Sequence, residues 1–176
     1  MKGLFWGFIL VYLNCNLPLP TGGILNVLPP WVGFLVLFIA AGRLQEESLL
    51  FLKTRPWSVG LGVYGLILWV VAIFQIDMGV AGWGLAMISI GAQVYVLWLF
   101  ICAIRDVERK RDGDLGCKRL RKCWVAVFIT SMIEAVSSLL PALIGPAATA
   151  NMIAIIVFLV VFHGTCNQYR ILTIAD

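Results

Sequence analysis

Charge is what this sequence has least of. Asp, Glu, Lys and Arg make up 12% of its 176 residues, against 61% hydrophobic residues. A soluble domain carries about 25% charged and about 45–50% apolar residues. A chain so poor in polar side chains cannot cover a globule in water, and its mean hydropathy of +0.98 assigns it to lipid. Histidine is nearly missing too, with His163 alone, which excludes bis-histidine haem ligation. No phosphate-binding glycine loop, nucleophile elbow or H-E-x-x-H zinc helix is present. No reaction is assigned to the chain, and the expectation is of a protein that holds no cofactor. Cysteine is not scarce, but Cys102, Cys117, Cys123 and Cys166 fall near one predicted face and Cys15 near the other. That is no disulfide framework.

What is present is long apolar runs. A helix crossing a ~30 Å hydrocarbon core needs about 20 apolar residues. The runs predict an all-α bundle of six membrane spans, paired as three hairpins, at about 3–17, 30–44, 57–76, 80–104, 123–140 and 147–164. Lys2 before GLFWGFILVYL imitates a signal peptide. No small-x-small site follows, and Asn14 stands where a lipoprotein signal needs a small residue, so the segment reads as a retained first span. The first two spans are short, and a re-entrant hairpin over 3–44 is the alternative to a crossing one. Pro30, Pro56 and the Pro141–Pro146 stretch read as boundaries where helices open or turn.

Between the fourth and fifth spans lies RDVERKRDGDLGCKRLRK, 105–122, with eight of the thirteen Lys and Arg. With six spans and both termini inside, all thirteen basic residues share one side, and Asp77 is the single charge in the outer loops. The positive-inside rule makes that the cytoplasmic side. Trp6, Trp57 and Trp124 fall at inner ends and Trp31 and Trp83 at outer ends, as interfacial belts require. Asp106, Glu108, Asp112 and Asp114 interleave the basic residues, which argues against nucleic acid. Arg109, Lys110, Arg111, Lys118, Arg119, Arg121 and Lys122 are candidates for contact with anionic lipid headgroups.

Glu134, inside the fifth span, is the sharpest chemical signal. Thr130 and Ser131 precede it by four and three residues, and Ser137 and Ser138 follow by three and four, so all five share a helix face. A carboxyl at membrane depth is costly and turns to a partner, the bundle interior or a water-filled cavity. This predicts an ion, proton or polar pathway, or else a carboxyl that merely holds helices together. Gln93, on a small-residue stripe with Gly82, Ala86 and Ser89, either lines the same pathway or makes one interhelical hydrogen bond. Ser58, Gly62, Gly65 and Ala72 form a comparable stripe in the third span, and Gly3-x-x-x-Gly7 matches the helix-dimer motif. His163 and Cys166 are weak metal-ligand candidates with Cys102, Cys117 and Cys123, at spacings unlike any standard zinc pattern.

GLFWGFILVYLN, LPPWVGFLVLFIAAGRLQEES and Arg55-Pro56-Trp57 resemble a set of uncharacterised multi-span proteins of Gram-positive bacteria over the first third of the chain. Pro29-Pro30-Trp31 departs from that pattern, which has an acidic residue and an aromatic after proline. The resemblance implies a bacterial cytoplasmic membrane and no activity. Two functional expectations stand: a small transporter or ion/proton pathway component using Glu134, and a non-transporting accessory subunit. The expected partners are membrane lipids with a second copy of the chain or a larger membrane protein.

Overall fold

The computed structural model describes residues 1–12, 16–18, 24–26, 29–74, 76, 79–137 and 141–175. The fold is helical: α1 (Lys2–Tyr12), α2 (Pro30–Arg43), α3 (Leu50–Ile73), α4 (Gly79–Lys110), α5 (Cys117–Ser137) and α6 (Pro141–Ala175). Among the described residues the exception is an antiparallel ribbon between α1 and α2. Its strands β1 (Asn16–Pro18) and β2 (Ile24–Asn26) pair Asn16 with Asn26 and Pro18 with Ile24. Three helices contain stretches long and apolar enough to cross a membrane, Leu50–Ile73, Ala81–Lys110 and Ala142–Ile174. This is a membrane protein. The chain divides into two compact units, Met1–Gln93 and Val94–Asp176, and α4 contributes to both.

Several predicted boundaries move. Pro56 lies inside α3 rather than at its start, so the helix begins at Leu50, ahead of the predicted span 57–76. The Ser48 hydroxyl accepts the Leu50 N–H at 3.2 Å as the helix begins. Thr54 Oγ1 then donates to Phe51 O at 2.8 Å and Ser58 Oγ to Thr54 O at 3.0 Å. These hydroxyls supply carbonyl partners next to the N–H that Pro56 lacks. Pro141 opens α6, where a missing N–H costs least, while Pro146 lies inside the helix and forgoes one backbone hydrogen bond. Thr149 Oγ1 donates to Gly145 O at 2.9 Å there. The polar tail continues the helix to Ala175.

The basic stretch 105–122 is a helix–turn–helix rather than a loop. Arg109 and Lys110 end α4, where cations complement the negative end of the helix dipole. Lys110 pairs with Asp106 at 3.2 Å. Asp114 Oδ1 accepts the Gly116 N–H at 2.8 Å, and Glu108 Oε2 accepts the Cys117 N–H at 3.1 Å. A carboxylate from α4 thus caps the positive end of α5. Gly116, at φ +75°, occupies a left-handed conformation that suits glycine. The turn is fastened to α6, because Leu115 is fully buried and its carbonyl accepts Thr165 Oγ1 at 2.9 Å.

In the first unit α2 packs against α1 on one side and α3 on the other. Leu4, Phe8, Val11, Phe34, Leu37, Ala41, Phe51 and Leu61 are buried there. Glycine sets the α1–α2 distance. A Cβ at Gly33 would stand 2.6 Å from Val11 N and 2.9 Å from Gly7 O, and one at Gly7 would stand 2.7 Å from Leu37 Cδ2. Gly7 of the Gly3-x-x-x-Gly7 motif is therefore used within the chain. The third-span stripe behaves alike: Ser58 and Gly62 are buried, and a Cβ at Gly65 would meet Trp31 at 3.5 Å. Arg55 lays its guanidinium 4.4 Å from the Phe38 ring centroid.

Gly33→Ala is expected to destabilise the protein by about 1–3 kcal/mol, since backbone atoms opposite cannot yield as a side chain can. Gly145→Ala, with nothing within 4 Å of the added atom, is expected to be neutral or slightly stabilising. Denaturant titration in mixed micelles measures both. Equal stability of Gly33→Ala and the parent chain would contradict the close crossing.

Candidate functional site

The site is built on the α5–α6 hairpin of the second unit. On α5, Thr130, Ser131, Glu134 and Ser137 recur at helical spacing. Ser131 and Ser137 are buried, and Thr130 and Glu134 are half-buried. Facing them from α6 is Asn151, also half-buried. Its side-chain amide donates from Nδ2 to Glu134 Oε2. Its Oδ1 lies within hydrogen-bonding distance of Thr130 Oγ1 at 2.9 Å and Ser131 Oγ at 3.2 Å. One amide thereby gathers a carboxyl and two hydroxyls of the neighbouring helix.

This set of four groups can take two proton arrangements without moving a helix. A carboxylate can only accept, so with Glu134 ionised the amide must donate to it and receive the hydroxyl protons on Oδ1. A carboxylic acid can also donate. Turned over, the amide accepts the Glu134 proton on Oδ1 and offers Nδ2 to the hydroxyl oxygens. Thr130 has other acceptors for its own proton, Ala126 O at 2.9 Å and Val127 O at 3.2 Å. The cluster therefore serves either protonation state of Glu134.

Two expected members bond within their own helices. Ser137 turns its hydroxyl onto Glu134's own backbone carbonyl at 2.7 Å. Gln93 belongs to the first unit, where its Nε2 donates to Ser89 Oγ at 3.0 Å within α4; it is an intrahelical contact and not the expected bond to another helix. Ser138 lies outside the described residues, as do Cys15 and Asp77. Asn151 was not anticipated. Its signal in the sequence is that it is the one side-chain amide in the predicted span 147–164.

The remaining candidates are spread along helices. His163 is exposed and Cys166 buried on α6, and among the described residues no three His, Cys, Asp or Glu side chains group to hold a metal ion. Arg109 and Lys110 are exposed at the end of α4, and Lys118, Arg119, Arg121 and Lys122 on the first turns of α5. Arg111 and Arg121 set their guanidinium groups 5.5 Å and 5.6 Å from the rings of Tyr169 and Trp98. Trp124 Nε1 donates to Val94 O at 3.0 Å. Burial, and then the neighbouring Glu108, push the Cys117 thiol far above its ordinary range, so it is no nucleophile at neutral pH.

Asn151→Ala is expected to cost roughly 1–2 kcal/mol, because it strips the carboxyl and Ser131 of their shared partner. Glu134→Gln, which still offers the amide a hydrogen-bonding group, is expected to cost less. Unfolding in mixed micelles gives the ranking, and an Asn151→Ala protein as stable as the parent would show that the cluster does not hold α5 to α6. No family model, curated protein or solved structure matches this chain, so a functional reading rests on these residues.

Proposed function

We propose that the protein is a small ion- or proton-pathway component of a bacterial cytoplasmic membrane, with Glu134 as the proton-exchanging group and Asn151 as its switchable partner. The observation that supports this most is the Glu134–Asn151–Thr130–Ser131 cluster, whose partners suit both the ionised and the neutral carboxyl. Half-burial of Glu134 leaves the carboxyl a route for proton exchange. Ionisable groups at this depth mark such pathways more often than they serve as ornament. The fold proposed with it has six crossings and both termini on the basic side. α1 and α2 have 11 and 14 residues, or about 16 and 21 Å of rise, so the first hairpin requires a locally thinned bilayer. A second copy of the chain, or a larger membrane protein, completes the assembly.

A second reading has its own support. Ser137 and Gln93 satisfy themselves within their helices, and the remaining cluster can close on itself. On that reading the cluster is a fastening and the protein is a non-transporting accessory subunit.

Proton and cation flux in liposomes separates the two. Loss of flux in Glu134→Gln, with unfolding behaviour retained, is the outcome expected for a pathway through the carboxyl. Flux unchanged by the substitution removes Glu134 from the pathway, and no flux from the parent chain favours the accessory reading. The topology has a separate check. Reporters that work only in the cytoplasm are expected to be active when fused after Asp176 or within 111–116, and inactive when inserted within 75–78. Activity of an insertion within 75–78 would overturn the six-crossing arrangement.

A further inference from the structure

The first unit contains a cavity of about 350 Å³ between α3 and the first half of α4. Trp57, Gly60 and Tyr64 line it from α3, and Ile88, Ser89 and Ala92 from α4. Its wall is nearly all hydrocarbon, and its polar atoms are engaged: Tyr64 Oη donates to Leu85 O at 2.8 Å, and Ser89 Oγ accepts Gln93 Nε2 at 3.0 Å. A wall of this kind favours an apolar ligand over a polar one. Gly60 opens the groove, since a Cβ there would meet nothing within 4 Å. Both walls belong to stretches of membrane-crossing length and composition, so the groove opens toward acyl chains.

One end of the groove has a charge. Lys53 is exposed and precedes Trp57, Gly60 and Tyr64 at intervals of four, three and four residues, which puts all four along one stripe of α3. Arg55 faces the other way, onto Phe38. Trp57, 45% exposed, stands between the ammonium and the apolar floor, where an amphipathic ring marks the headgroup level. We infer that this groove binds one acyl chain of an anionic phospholipid, with its headgroup on Lys53 and the chain running past Trp57 and Gly60 toward Tyr64. This site is independent of any pathway through Glu134.

Native mass spectrometry of the full chain, released from micelles with equal phosphatidylglycerol and phosphatidylcholine, tests the assignment. The parent chain is expected to retain one phosphatidylglycerol in preference to phosphatidylcholine. Gly60→Leu and Ala92→Phe fill the groove from opposite walls and are expected to reduce retention about tenfold. Lys53→Gln is expected to lower the preference for phosphatidylglycerol about fivefold, and Gly164→Leu, at an exposed glycine of α6 with open space around it, to leave it unchanged. Should one filling variant fail to fold, the other decides. Full retention in a folded filling variant, no headgroup preference in the parent chain, or a lipid-free dimer occupying the groove would each overturn the proposal.

Discussion

A bilayer core offers no hydrogen bonds, and that absence governs this molecule. Every N–H and C=O placed there must find its partner in the chain, which leaves helices as the usable element for a chain like this. Each polar side chain at depth meets the same demand. The hydroxyls around Pro56 serve carbonyls of their own helix, and Gln93 serves a serine one turn away. Where a carboxyl must be accommodated, one helix is not enough. Glu134 draws on α6, and the amide it finds there also engages Thr130 and Ser131.

The two units answer the lack of a hydrophobic drive between helices in different ways. In the first, close approach is made possible by what is missing, the side chains of Gly7 and Gly33, and dispersion across the α1–α2 crossing does the rest. In the second, α6 is joined to α5 by polar groups at one level and to the basic turn through Thr165 and Leu115 at another. The first device is steric and indifferent to protonation. The second contains a titratable group, which is why the chemical candidates gather there.

How much of this was legible in the sequence depended on whether the signal was local. Apolar run length marked three helices that are long and apolar enough to cross, at the third, fourth and sixth predicted spans, because hydropathy and helix length are both properties of a contiguous stretch. Proline was a weaker guide: Pro56 and Pro146 read as boundaries but lie inside helices, each at the cost of one backbone hydrogen bond. The basic cluster looked like a loop because charges obscure apolar periodicity, and only the Glu108 and Asp114 contacts reveal the caps that fold it. Glu134 was conspicuous as a lone acid. Asn151 was not, because it carries no charge and its importance comes from which residue lies opposite.

The last helix has a mechanical property that follows from its contacts. It is bonded to α5 at Asn151 and to the basic turn at Thr165, fourteen residues apart, or about 21 Å along a rigid rod. A strut held at two heights cannot slide or rotate at one without working against the other. The hydrogen-bond pattern chosen deep in the hairpin and the seating of Leu115 near the basic turn are thus set by the same piece of helix.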